Sequence, residues 1–293
     1  MRIALHQFSI PGFGIARRRL FAIPALPSSR EVLIREAHNA AWPEVNLDTL
    51  QVNKSGRRVR QHVNPFKEEL QVLIDSPDWT QIFHQPSLPL TVDLGCGPGR
   101  FLLASAKRFP ANNYLGLEIR QPLIDRANDW SRAMELAGQV HFIYANANVQ
   151  LSNLLRSYPG PVDLITIQFP DPHYKTKHKK RRIVQPALVQ TIKDALRPGG
   201  RLFMQSDVLE VAEAMRDEVE AFAAAAFDTV QGHLPGPSQE MDSNRSMAAD
   251  GQRAWSACGW LADNPIGVPT EREVVSLELK LPVYRVLLIR KDH

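Results

Sequence analysis

The chain has 293 residues, 44% of them hydrophobic and 23% charged, and a formal net charge of +4. That is enough length to bury one large domain, in a composition typical of folded globular proteins. The longest apolar run, Ala221 to Phe227, is far short of the roughly 20 residues a spanning helix needs, and two cysteines, Cys96 and Cys258, build neither a disulfide framework nor a closed zinc site. No metal and a reducing compartment are therefore expected.

The positive charge is unevenly spread. Residues 1 to 30 carry five Arg and no acid, while the other 263 residues carry 30 basic against 31 acidic side chains. Two further basic clusters stand out, Lys54 with Arg57, Arg58, Arg60 and Lys67, and the run from Lys175 to Arg182, in which six of eight residues are Lys or Arg. Such polarisation is the electrostatic footprint expected for nucleic acid; neither cluster is amphipathic, which argues against a membrane surface.

Residues 1 to 50 lack clear periodicity and contain four prolines. We read them as a basic extension preceding the folded domain of 51 to 293. Their acid-free, Arg-bearing start resembles an organellar transit peptide, and a disordered basic tail is the alternative. The two readings place the protein in a plastid or mitochondrion, or in the cytoplasm.

From Leu90 onward apolar runs alternate with helical segments. Strands are predicted at 90 to 95, 113 to 119, 140 to 146, 163 to 169, 201 to 206 and 282 to 290, and helices at about 100 to 109, 121 to 137, 184 to 196 and 208 to 226. Alternation of this kind predicts an α/β fold with a doubly wound, mainly parallel sheet. Residues 231 to 265, rich in Gly, Pro, Ser and Asp, read as a long, partly mobile loop insertion.

The first strand runs into Asp93-Leu94-Gly95-Cys96-Gly97-Pro98-Gly99-Arg100. Glycines at 95, 97 and 99 let backbone approach a ligand closely. The third glycine comes one residue too early for a dinucleotide fingerprint. A carboxylate at Asp93 would repel a pyrophosphate but attract a sulfonium or an amino group, so both features favour S-adenosylmethionine over NAD. Glu118, ending the second strand, is placed to accept hydrogen bonds from two ribose hydroxyls. Asn146, after the third, could meet an adenine edge through its amide or be a polar strand-end cap instead. Cys96 lacks a partnered His and reads as a small buried turn residue.

The fourth strand, Asp163 to Gln168, delivers Phe169-Pro170-Asp171-Pro172-His173-Tyr174-Lys175, followed directly by the basic run. Asp171 thus stands at a strand's carboxyl end, where open α/β sheets bind ligands, beside cations suited to a polyanion. The histidines here read as packing or stacking groups, since no acids accompany them at metal-ligand spacing. Asp207 follows the next strand and could cap the helix after it. Thr270 and Glu273 have capping-box spacing.

Taken together, Phe169-Pro170-Asp171-Pro172 with Lys175 and the basic run, Val59-Arg60-Gln61-His62-Val63-Asn64-Pro65, Ser206-Asp207 and Pro269-Thr270-Glu271-Arg272-Glu273 resemble the tRNA (guanine-N7)-methyltransferase family over roughly Arg57 to Lys291. The resemblance implies a Rossmann-like class I methyltransferase fold, S-adenosylmethionine as cofactor with S-adenosylhomocysteine as product, and tRNA as partner. By position it implies that Asp93, Gly95, Gly97, Gly99, Glu118, Asn146 and Asp171 contact the cofactor, with Asp171 at the reaction centre. Lys175, Asp207, Thr270 and Glu273 would contact the guanine, and Lys177, Lys179, Lys180, Arg181 and Arg182 the RNA backbone. Family members that carry Asp at the position of Asn146 differ little in need, because adenine is neutral and an amide serves. Methylation of another RNA such as rRNA, or a non-catalytic RNA-binding subunit, are the alternative functions. A partner subunit or homodimer is left open.

Overall fold

A computed structural model describes residues 29–45, 63–172, 180–232 and 255–292. Seven strands form one sheet among them: β1 (Leu90–Leu94), β2 (Asn113–Glu118), β3 (Val140–Tyr144), β4 (Val162–Gln168), β5 (Leu196–Ser206), β6 (Phe227–Thr229) and β7 (Tyr284–Arg290). Their order is β3-β2-β1-β4-β5-β7-β6. Strands β1 to β5 pair in parallel, whereas β7 runs antiparallel to both β5 and β6. Parallel neighbours need crossovers, which bury both faces of the sheet; β1 and β2 are accordingly buried at every position.

Eight helices supply that cover: α1 (Ser29–Ala41), α2 (Trp79–Ile82), α3 (Arg100–Arg108), α4 (Gln121–Ala133), α5 (Ala147–Arg156), α6 (Pro186–Ala195), α7 (Leu209–Ala223) and α8 (Glu271–Glu278). On one face, Leu154 of α5, Ile192 of α6 and Val219 of α7 pack with Trp79 and Trp260. On the other, Leu102 of α3, Ala127 of α4 and Val274 of α8 pack with Trp42. Chain direction across the sheet reverses between β1 and β4, so the carboxyl ends of those strands open a crevice.

Three differences from the sequence reading matter for the site. Periodicity set the start of the packed domain near residue 51, yet residues 29 to 45 fold onto it. Trp42 is fully buried and donates from Nε1 to the Pro269 carbonyl at 3.1 Å, and Arg108 donates to the Ala41 carbonyl at 2.7 Å. Residues 1 to 28 lie outside the described ones.

Second, part of the 231 to 265 stretch is packed. Trp255 and Trp260 are buried, the Arg216 guanidinium lies 4.5 Å from the Trp260 ring centroid, and the Gly232 amide donates to the Cys258 carbonyl at 2.7 Å. Two aromatic side chains found a core pocket that the polar composition around them concealed.

Third, α1, α2, α5 and α8 are helices that the apolar pattern does not predict. In α5 the apolar positions are interrupted by Asn148, Gln150 and Asn153; Asn148 donates to the Ile183 carbonyl at 2.9 Å, while Gln150 and Asn153 hold a strap, Val63 to Asp78. Gln150 accepts from the Ile74 amide at 3.1 Å and donates to the Val72 carbonyl, and Asn153 donates to the Ile74 carbonyl at 2.6 Å.

Candidate active site

The glycine turn between β1 and α3 takes three positive φ angles, +87° at Gly95, +54° at Gly97 and +83° at Gly99, a conformation L side chains rarely adopt. At Gly99 a Cβ would also lie 2.6 Å from the Phe142 ring, so this glycine seats α3 on the sheet. At Gly95 a Cβ would meet no protein atom within 4 Å, because the backbone there borders an open cleft. Cys96 is buried, and burial pushes its thiol well up, which leaves it inert as a nucleophile.

That cleft is lined by Gly95, Glu118, Asn146, Gln168, Asp171 and Arg181, among others. Four strand ends thus contribute to one space, and Val63 and Pro65 of the strap close a side of it. Asp93 sits beneath, only 3% exposed. Thr166 donates to its Oδ1 at 2.6 Å and Gln168 at 3.5 Å. Burial pushes its carboxyl up to about 7, against the opposing pull of those two hydrogen bonds. Thr166 and Gln168 alternate along β4, whose Thr166 pairs with Asp93 of β1, so one face of β4 polls the acid. Sequence reading missed both; a Thr-x-Gln pair ending an otherwise apolar strand was the available signal.

Glu118 is 4% exposed and densely solvated by the protein. Its Oε1 accepts from the Ile119 amide at 2.7 Å and from Arg120 Nε at 3.0 Å; its Oε2 accepts from the Gly97 amide at 3.2 Å and Arg120 Nη2 at 2.7 Å. Arg120, also absent from the sequence reading, lines the cleft beside Glu118 and forks onto its carboxylate. Asn146 caps α5, its Oδ1 accepting from the Asn148 amide at 3.1 Å, while its Nδ2 donates to the Pro65 carbonyl at 3.2 Å. The residue is thus a helix N-cap, where the sequence reading weighed only a strand-end cap, and it still lines the cleft.

Phe169 follows β4 with φ +49°, in the left-handed region, while its amide remains tied to the Gln205 carbonyl at 2.8 Å. This bend turns the chain out of the strand direction and leaves Asp171 exposed at the cleft mouth. Strain of this kind costs about 1–3 kcal/mol and persists only where the surroundings over-determine it. Of the basic run, Lys180, Arg181 and Arg182 are described; Lys175, Lys177 and Lys179 lie outside the described residues, as does most of the Val59 to Pro65 motif. Lys180 Nζ lies 5.7 Å from the Phe66 ring centroid of the strap, and Arg181 enters the cleft.

The expected guanine contacts take other geometry. Helix α7 is preceded by Val208, whose amide bonds to Ser206 Oγ at 3.1 Å, so Asp207 is not its cap. Instead Asp207 accepts from Arg272 Nε at 2.8 Å and from Ser276 Oγ at 3.2 Å. Thr270 caps α8, accepting from the Glu273 amide at 3.2 Å. Glu273 is 1% exposed, and its carboxylate accepts from Arg285 Nη2 at 2.8 Å, Asn264 Nδ2 at 2.8 Å and Gln205 Nε2 at 2.9 Å. Gln205 in turn donates to Gln168 Oε1 at 2.8 Å. A buried polar chain thus connects Asp93 on β1, through Gln168 and Gln205, to Glu273 on α8. Among the described residues no group of three or more His, Cys, Asp or Glu could hold a metal ion, and no helix is long and apolar enough to cross a membrane.

A parallel sheet in this strand order with a reversed β7, a glycine turn after β1 and an acid ending β2 define the Rossmann-like fold of class I methyltransferases. A sequence profile described as putative methyltransferase matches residues 87–254. Over 235 residues, 80% of this chain and 97% of the relative, the sequence is 43% identical to a tRNA (guanine-N(7)-)-methyltransferase of Synechococcus elongatus. It is 40% identical over 233 residues to the protein of that name in Synechocystis sp., covering 97% of it, and 42% identical over 228 residues to that of Thermosynechococcus vestitus, covering 92%. The chain belongs to the tRNA (guanine-N7-)-methyltransferase family.

Proposed function

We propose that the protein transfers a methyl group from S-adenosylmethionine to N7 of a guanine in the variable loop of tRNA. The observation that carries this reading is the meeting of Glu118 and Asp171 around one cleft, with Asp93 buried beneath it and Arg181 in its lining. The donor set suits the cofactor: a buried acid under a glycine turn for a cationic amino-acid end, and an acid at the end of β2 for a ribose diol, with Arg120 as the group that gives way. Bound there, S-adenosylmethionine supplies an electrophilic methyl on a sulfonium.

Guanine N7 has a free lone pair and no proton, so no general base is needed and alignment dominates. Attack leaves the purine ring positively charged. Asp171 stands where it can stabilise that charge and orient the base. Lys175 contacts the guanine and the Lys177 to Arg182 run holds phosphates; Asp207 acts through Arg272, while Thr270 and Glu273 serve the guanine indirectly by fixing α8 and Gln205.

Mapping of methylated nucleosides by mass spectrometry, in tRNA incubated with protein and S-adenosylmethionine, should find 7-methylguanosine in the variable loop. Asp171→Asn should lower turnover by ~10²-fold or more while S-adenosylhomocysteine binding persists. Methylation at another guanine atom, or in rRNA alone, would overturn the reading.

A further inference from the structure

A second cleft lies on the opposite side of Pro170 and Asp171 from the first, which shares only those residues and Ile183 with it. Its floor is apolar, formed by buried Val211 and Met215 of α7 with Val184. Lys180 and Arg182 border one side, and Asp217 and Glu218 of α7 the other. Neither cation is paired with Asp217 or Glu218, and Arg182 Nε has no hydrogen-bond partner among the described residues, while Asp217 pairs with Arg216 at 3.6 Å on its own helix. Opposite charges therefore face one cleft without bridging it. A plain phosphate would suit the cations but be repelled by the acids, and an apolar peptide would bury the acids to no benefit.

We propose that this cleft receives the nucleotide next to the target guanosine, its base against Val211 and Met215, its phosphate toward Lys180 and Arg182, and its amino or ribose hydroxyl donors toward Glu218 and Asp217. The inference rests on the proposed action on tRNA and deepens it. A guanine reaching the methyl group must leave its stack, and the residue beside it then needs a new surface, which single-stranded recognition supplies by apolar and aromatic platforms. The wall shared by the two clefts, Pro170 and Asp171, is one short segment thick. Neighbouring nucleotides of one strand can straddle it.

The test pairs Ala214→Trp, which fills the cleft from a half-buried position on α7, with tRNAs carrying an abasic residue immediately 5′ or 3′ of the target guanosine. With the unaltered protein, one of the two abasic tRNAs should lose roughly tenfold or more in kcat/KM, the scale of one lost base stack. Ala214→Trp should lose a similar factor on intact tRNA but little more on that abasic tRNA, with S-adenosylhomocysteine affinity unchanged. If the Trp variant fails to fold, Ala214→Gln is read the same way. Losses that multiply, or no loss at either abasic position, overturn the proposal. Absence of methyl transfer to any tRNA by the unaltered protein would instead refute the function on which it rests.

Discussion

Replacing Glu273 by Gln separates a buried structural acid from a guanine-reading one. Glu273 and Arg285 have side chains 1% and 5% exposed, with Nη2 to Oε1 at 2.8 Å. Every partner of the carboxylate is a donor: Arg285 on Oε1, Gln205 and Asn264 on Oε2. An amide offers one acceptor oxygen and sets an NH2 against donors on the other side. It also leaves the Arg285 charge buried and uncompensated, for which the expected loss is about 3–5 kcal/mol. In a chain of this size each kcal/mol moves the melting temperature by about 2–4 °C, so thermal unfolding should fall by ~6–20 °C. Arg285→Met alone should destabilise similarly, and the double variant should recover much of the loss, since removing both charges leaves none stranded. Calorimetry on the three variants decides it. If Glu273→Gln melts like the unaltered protein yet no longer methylates tRNA, the carboxylate reads guanine directly and the burial argument fails.

Asp93, with a carboxyl pushed to about 7 from 3.8, retains in the folded state a proton that the unfolded chain has lost, so its contribution to stability falls as pH rises from about 4 to about 7. Because a cationic ligand group favours the ionised acid, S-adenosylhomocysteine affinity should rise with pH up to about 7 and then level; calorimetric titration showing the same rise in Asp93→Asn would discard this assignment. Lys179→Ala with Lys180→Ala should reduce the slope of log tRNA affinity against log salt by about 0.7–0.9 per lost contact, and an unchanged slope would exclude the run as a docking surface. Deleting residues 1 to 28 should leave melting temperature and tRNA methylation intact and, if the segment is a transit peptide, abolish organelle import. Deleting 1 to 45 strips Trp42 from the core, a loss on the order of 3–5 kcal/mol by the scale of Trp truncations, and equal melting of both truncations would show that α1 is not part of the domain.

How much of this could be read in advance follows from the range of the interactions. The strands β1 to β5 and the helices α3, α4, α6 and α7 announce themselves because each carries its own apolar period. The glycine turn and Asp171 are equally local, since their chemistry is written in consecutive residues. Helix α5 escaped because Asn148, Gln150 and Asn153 look like breakers until their partners are seen, the Ile183 carbonyl for Asn148 and the strap for Gln150 and Asn153. Gln168 escaped for a related reason, since its partner Asp93 lies 75 residues away on another strand, whereas Arg120 is only two residues from Glu118 and was a local signal left unread. Glu273 shows the converse, a residue whose motif suggests a ligand while its surroundings are wholly protein.

The two carboxylates nearest the proposed chemistry are held in opposite environments, and that contrast bears on when the reaction can occur. Asp93 is buried and hydrogen-bonded before any substrate arrives, so its charge state would be coupled to the cationic ligand proposed for the cleft above it. Asp171 is exposed, at the end of a bend that Phe169 makes with positive φ. In open water a carboxylate at about 4 Å stabilises a unit positive charge by only ~1 kcal/mol, but by several times that once solvent is displaced. The surface that would displace it is RNA docked over the basic run and the paired clefts. If Asp171 has the proposed role, it should become an effective stabiliser of charged guanine when tRNA covers it, and a free guanosine, unable to seal the cleft mouth, should leave it weak. Selectivity for tRNA over nucleoside should then arise in kcat as well as in KM, and equal kcat on the two would refute the role.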